Sequence, residues 1–354
     1  MPVLGEPEQD NLLTGLVSKY SPSHSEYPAV RYLVNEMVEM GFQSFIDSAG
    51  NAVGEMGNGD NTLMLLGHID TVPGDIPVRR EGQHLYGRGT VDAKGPLASF
   101  VCAAASTGEI QGWRIVVVGA VEEEAATSKG ARYLLDKYKP ESVIIGEPSS
   151  WDRVTIGYKG RLLVDYALER EIGHTAGPGS SVCEDAHAFW HGITEYAAAH
   201  NAQHKRVFDQ LTPSLRAMHS LDDGFIQKAA LTIGFRIPLD YDTDILQHDL
   251  LVQAGDATVS FRGREAAYRA AKNTLLARCF IKAIQYEGGQ LQFKVKSGTS
   301  DMNVVGAVWQ CPIVAYGPGN SALDHTPNEH IDLDEYHKAV SVLSKVIIEF
   351  CSSG

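Results

Sequence analysis

The chain has 354 residues, 44% hydrophobic and 21% charged, the profile of an ordinary globular protein with material for one large or two modest domains. A formal net charge of −14 argues against a nucleic-acid partner, because phosphate binding needs clustered Lys and Arg. No apolar run approaches the roughly 20 residues of a membrane span, and residues 1–11 lack the basic and apolar pattern of a signal peptide. Five cysteines, odd in number and far apart, form no CxxC, which excludes a disulfide framework or a cysteine zinc ribbon. The expectation is a cytoplasmic protein with no membrane or nucleic-acid partner.

Residues 11–40 repeat apolar side chains at helical spacing twice: Leu12, Leu13, Leu16 and Val17, then Val30, Leu33, Val34, Met37 and Met40. Short apolar runs follow at 62–66, 115–121, 143–145 and 313–316, each ending in a glycine or an acid. Helix-like stretches at 95–106 and 129–138 lie between them. This alternation predicts an α/β fold, a mostly parallel sheet with helices on both faces. From about residue 154 the texture changes. Strands alternating in polarity at 153–168, 229–236 and 257–263 surround a helix at 184–201, which suggests an inserted α+β unit with an antiparallel sheet. A long helix is expected at 265–286. The predicted domains are therefore 1–154 with 265–354, interrupted by 155–264.

The chemistry-bearing residues cluster at strand ends. His68 closes an apolar strand in a His-x-Asp pattern with Asp70, and the aspartate can hold the imidazole. Asp92 sits in the glycine-rich stretch 85–96, just before a predicted helix, where capping that helix is the ordinary role. Glu122, Glu123 and Glu124 follow the strand at 115–121, Glu147 ends the strand at 143–145, and His325 lies in the loop after 313–316. In an open α/β sheet such ends form the ligand crevice. Two histidines and several carboxylates there suit a divalent cation such as zinc. Three carboxylates bring about −3 and two zinc ions +4, leaving about +1 for a hydroxide nucleophile. The pairs His187/His191 and His200/His204 lack the glutamate of a His-Glu-x-x-His motif and read as surface or packing residues.

With these motifs in order, the chain resembles the dizinc metallopeptidases of the aminoacylase, acetylornithine deacetylase and succinyl-diaminopimelate desuccinylase type. The resemblance covers nearly the whole length, through residues 67–73, 87–95, 122–124, 146–148 and His325. It implies two zinc ions, with cobalt able to substitute, bridged by Asp92. His68 and Glu147 complete one shell, and Glu124 and His325 the other. Asp70 orients His68, and Glu123 is the general base. The family usually has Asp-Glu-Glu here, and this chain has one extra residue before Gly130, so Glu122 as base with Glu123 as ligand is the alternative register. The inserted unit resembles the family's lid, which also implies a homodimer. In it His174 would polarise the scissile carbonyl, and Arg236 with Thr299 would bind the substrate carboxylate.

Residues 74–79 and 91–98 look most like the lysine-biosynthesis branch of the family. Its members release lysine or ornithine from the carboxyl-terminal glutamate of an amino-group carrier protein, or act on acetyl-lysine. Arg79, Arg80 and Arg88 are the candidates for a basic rim facing an acidic carrier. Within the family, an acetylornithine deacetylase or a succinyl-diaminopimelate desuccinylase is the other reading. A non-catalytic binding relative is the reading from another class, and the competent residue at every ligand position speaks against it.

Overall fold

Helices α1 (Glu6–Val17) and α2 (Tyr27–Glu39) bury Leu12, Leu13, Leu16, Val30, Leu33 and Met37, the residues whose spacing marked one helical face. Strands β1 (Gln43–Ile46), β2 (Ala52–Met56) and β3 (Asn61–His68) follow. Then come α3 (Lys94–Thr107), β4 (Trp113–Ala120), α4 (Lys129–Leu134), β5 (Ser142–Gly146) and β6 (Arg153–Tyr158). The next elements are β7 (Gly160–Glu171), α5 (Val182–Asn201), β8 (Thr212–Asp222), β9 (Ile226–Ile237), α6 (Thr243–Gln253) and β10 (Thr258–Glu265). The chain ends with α7 (Leu275–Tyr286), α8 (Asp301–Trp309), β11 (Ile313–Tyr316) and α9 (Leu333–Ser353). This computed structural model describes residues 4–173 and 179–353. They fall into two compact units: Met1–Gly157 with Ala270–Val295 and Ser300–Gly354, and Tyr158–Arg269 with Lys296–Thr299.

In the first unit the large sheet runs β1-β2-β4-β3-β5-β11-β6. Its centre, β4-β3-β5-β11, is parallel, while β2 and β6 pair antiparallel at the flanks. Register places Ala120 beside His68, Gly67 beside Gly146, and Gly146 beside Tyr316. All four parallel strands thus end at one level on one edge, the edge where open α/β sheets bind ligands. Gly119, Gly67 and Gly146 lie side by side one step behind it. A Cβ at Gly146 would meet Gly67 Cα at 2.9 Å and the Phe100 ring at 3.0 Å, so glycine lets α3 rest directly on the sheet. Packed between the sheet and helices α1 and α9, α3 buries every residue from Lys94 to Ala105. A helix enclosed on all sides shows no amphipathic stripe.

The second unit is a four-stranded antiparallel sheet, β8-β9-β7-β10. Alternate residues Leu162, Val164, Tyr166 and Leu168 of β7 and Leu231, Ile233, Phe235 and Ile237 of β9 form its core with Phe189 and Ile193 of α5 and Leu246 and Leu250 of α6. Helix α5 starts in a capping box: Ser181 Oγ accepts the Glu184 N–H, and the Glu184 carboxylate accepts the Ser181 N–H. The α/β fold with a separate antiparallel α+β sheet is therefore the observed architecture.

Some expectations are corrected. The helix predicted at 265–286 begins only at Leu275, because Thr274 caps it at the Ala277 N–H and Glu265 is still paired in β10. Strand β8 left no sequence signal, since it alternates between exposed and half-exposed residues and has no fully buried face.

Candidate metal centre

His68, Asp92, Glu124, Glu147 and His325 are brought together at the strand-end edge of the first unit. His68 is the last residue of β3 and is buried. Its Nδ1 faces the main-chain carbonyl of Asp70 at 3.0 Å, with Asp70 Oδ1 farther off at 3.5 Å. Nε2 lies 3.1 Å from Asp92 Oδ1, and it is the ring nitrogen left for a metal once Nδ1–H is given to that carbonyl. On the other side of the same carboxylate, His325 Nε2 lies 2.9 Å from Asp92 Oδ2 and 2.8 Å from Glu124 Oε1. Glu147, the first residue after β5, has Oε1 4.0 Å from His68 Nε2. One atom from each of His68, Asp92 and Glu124 falls within 4.8 Å of the other two. Two imidazoles reaching opposite oxygens of one carboxylate, each with a second carboxylate beside it, fit a pair of cations sharing Asp92. Asp92 is not the helix cap that its position suggested. The N-cap of α3 is Ala93, and the Asp92 side chain turns to the histidines instead.

The electrostatics fit the same donor set. Hydrogen bonds to Asp92 and Glu124 push His325 up to about 11, with partial burial working against them. Burial opposes charge on His68, but Asp70 and Asp92 outweigh it and hold the imidazole well above its ordinary range. Burial raises Glu123, and the negative charges of Glu124, Glu147 and Asp301 raise it further. The pocket is strongly negative and selects positive charge.

Asp70 does more than the His-x-Asp pattern suggested. Fully buried, its two carboxylate oxygens accept the N–H of Glu123 at 3.1 Å and of Glu124 at 3.0 Å, and Ser23 Oγ donates at 2.7 Å. It thereby ties the end of β3 to the loop of glutamates. Glu122 leaves the cluster: its carboxylate accepts from Thr127 Oγ1 at 2.7 Å and faces Lys129 and His24 at 3.5 Å each. With a φ of 60°, Glu122 turns the chain so that the next two residues face inward. This geometry favours the register in which Glu124 is the ligand and Glu123 the base.

The loop is closed at its neck by Gly130, whose N–H donates to the Val121 carbonyl at 3.0 Å. Buried Asn51 spans the same neck, accepting from Val121 N at 3.0 Å and donating to the Gly130 carbonyl at 3.2 Å. A Cβ on Gly130 would sit 2.3 Å from Asn51 Oδ1 and 2.5 Å from Val121 N. Gly130→Ala is expected to cost about 1–3 kcal/mol of stability, read as a lowered denaturant midpoint. An unchanged midpoint would show that the neck yields freely.

The remaining candidates divide. Arg236 and Thr299 belong to the second unit, where Arg236 Nη1 donates to Thr299 Oγ1 at 3.2 Å. His174 lies outside the described residues. Arg88 is not part of a surface rim. It is buried and bonded to Glu329 at 2.7 Å and to the carbonyls of Gly74 and Thr326. Arg79 and Arg80 are exposed, paired with Glu81 at 2.7 Å and Asp10 at 2.9 Å. The sequence reading missed Glu329 altogether, although a lone glutamate four residues after His325 was in view. His187 and His191 stack on the exposed face of α5 and join no ligand cluster among the described residues.

A parallel sheet with two histidines sharing one carboxylate at its strand-end edge, in a chain that also has a separate antiparallel unit, offers the donor set of a metal-dependent enzyme. Residues 64–349 match peptidase family M20/M25/M40, and the chain belongs to that family. It is 44% identical to a LysW-lysine hydrolase of Deinococcus radiodurans over 95% of either chain. It is 29% identical to a LysW-lysine/LysW-ornithine hydrolase of Saccharolobus islandicus, over 96% of this chain and 94% of that one. Among solved structures, the M20 metallo-carboxypeptidase Sso-CP2 of Sulfolobus solfataricus shares the fold with a TM-score of 0.81 at 18% identity, over 98% of this chain and 99% of that one. The protein is thus a hydrolase of amide or peptide bonds from a metal-dependent family. Among the described residues no helix is long and apolar enough to cross a membrane.

Proposed function

We propose that the protein releases lysine, or ornithine, from the carboxyl-terminal glutamate of an amino-group carrier protein, using two zinc ions. The observation that carries this reading is the near full-length similarity to a relative named for LysW-lysine hydrolysis. In this reading His68, Asp92 and Glu147 hold one ion, and Asp92, Glu124 and His325 the other. The ions, when bound, supply Lewis-acid polarisation and acidify water. Glu123, its main chain fixed by Asp70, takes the proton of the attacking water on its carboxylate and returns it to the leaving amine. Arg236 and Thr299, already hydrogen-bonded to each other, fix the α-carboxylate of the amino acid by charge-assisted bonds. His174 polarises the scissile carbonyl. The working form is a cytoplasmic homodimer in this reading, and cobalt can replace zinc.

An acidic carrier meets an enzyme of net charge −14, so it needs local positive charge. Arg79 and Arg80 are the exposed candidates. Their ion pairs with Glu81 and Asp10 are solvent-screened and cheap to exchange for a carrier carboxylate. The test compares kcat/KM for carrier-bound lysine and ornithine with acetyl-lysine, acetylornithine and succinyl-diaminopimelate. The carrier-bound substrates are expected to be preferred, the preference is expected to shrink with added salt, and Arg79→Ala/Arg80→Ala is expected to impair only them. Equal efficiency on all substrates, insensitive to salt, would return the protein to the small-molecule deacylases.

A further inference from the structure

Glu329 is fully buried, yet it is no member of the donor set. Its Oε1 accepts three main-chain N–H groups, from Gly89 at 3.0 Å, Val91 at 3.0 Å and Asp92 at 3.1 Å. Its Oε2 accepts Arg88 Nη1 at 2.7 Å, and its main-chain carbonyl accepts Gly87 N at 3.3 Å. Residues 87–93 belong to neither helix nor strand, so these amides have no ladder to satisfy them. Three N–H groups converging on one oxygen favour an anion, and Arg88 compensates the burial of that anion.

The placement links two ligands. Glu329 lies four residues after His325, whose Nε2 is 2.9 Å from Asp92 Oδ2. One short segment therefore presents the imidazole and also grips the backbone that carries its carboxylate partner. Arg88 adds a bond to the Thr326 carbonyl at 3.2 Å, so the loop and the segment are stitched together from both sides.

We infer that Glu329 is a positioning residue: by holding the amides of Gly89, Val91 and Asp92 it sets where both oxygens of Asp92 point, and with them the affinity for the metal pair. It touches neither substrate nor reacting atoms. This rests on the metal-centre reading proposed above. Glu329→Gln keeps the size but turns an amide NH2 toward Arg88, and Glu329→Asp withdraws the carboxylate by one methylene.

The experiment titrates zinc into the metal-free wild type and variants, at a temperature where near-ultraviolet circular dichroism shows each to be folded. Both variants are expected to bind zinc roughly 10–100-fold more weakly, the usual effect of losing a residue that orients a ligand. Leu343→Ala, which opens the buried core of α9, is the control: it lowers Tm and leaves zinc affinity unchanged. Folded Glu329 variants with wild-type zinc affinity, losing only Tm as the control does, would overturn the inference. Should both fold poorly, Arg88→Lys is read by the same two criteria. In the wild-type protein the amides of Gly89, Val91 and Asp92 must exchange slowly with solvent, and exchange at open-loop rates would also overturn it. Wild-type protein that takes up no zinc would refute the metal-centre reading itself, whereas normal uptake with unaffected variants refutes only the role of Glu329.

Discussion

Glu123→Gln is expected to keep its full metal content and to lower kcat by on the order of 10²–10⁴, the range typical of losing a general base. Glutamine preserves the size of the side chain, and the N–H of residue 123 remains held by Asp70 Oδ1. Glu124 and His325, which touch each other at 2.8 Å, are undisturbed. What is lost is the capacity to accept a proton. Glu122→Gln provides the contrast, since that carboxylate is engaged with Thr127, Lys129 and His24. It is expected to retain near wild-type turnover. Steady-state kinetics with elemental analysis on both variants separates the registers. Metal lost from the first variant and turnover lost from the second would move base and ligand back by one residue.

Most of the ligand set was legible in the sequence because His68, the glutamates and Glu147 stand at or just after the ends of buried strands, with His325 in the loop after another, and buried strands announce themselves as short apolar runs. β3, β4, β5 and β11 all did so, and their parallel register then brings His68, the glutamate loop, Glu147 and the His325 loop to one edge. Asp92 was harder, because an aspartate before a helix has a common structural explanation. Its assignment in the sequence came from resemblance to a family, and the structure adds the direct contacts to both histidines.

Other features left no local signal. The partnership of Arg88 with Glu329 joins residues 241 apart in sequence, and neither periodicity nor a motif marks it. Taken alone, an arginine in a glycine-rich loop reads as a surface charge, and only burial shows that it is a bolt inside the fold. The same holds for Asn51, whose side chain crosses from Val121 to Gly130 and closes the glutamate loop. Strand β8 escaped for the opposite reason. Its partners supply pairing but no buried face, so its alternation carries no contrast in polarity. Helix α7 was overextended because residues 265–274 are apolar enough to continue a helical pattern, while the cap at Thr274 outweighs it.

Stripping the metal with a chelator is expected to bring hydrolysis to background, with zinc or cobalt restoring it. Single substitutions are expected to divide the loss unequally. Asp92 is the carboxylate that both histidines reach, through Oδ1 at 3.1 Å and Oδ2 at 2.9 Å. In the two-ion reading Asp92→Ala removes a donor from both ions, and elemental analysis is expected to find neither retained. Glu147 stands on the His68 side, 4.0 Å from its Nε2, so Glu147→Ala is expected to lose one ion and keep the other. Glu124→Ala is the mirror case on the His325 side. Both single losses are expected to lower turnover strongly, because the ion that remains polarises the water and the scissile carbonyl less than the pair would. Retention of one tightly held ion by Asp92→Ala would show that the carboxylate is not shared. A fully active preparation holding only trace metal would end the metal-centre reading altogether.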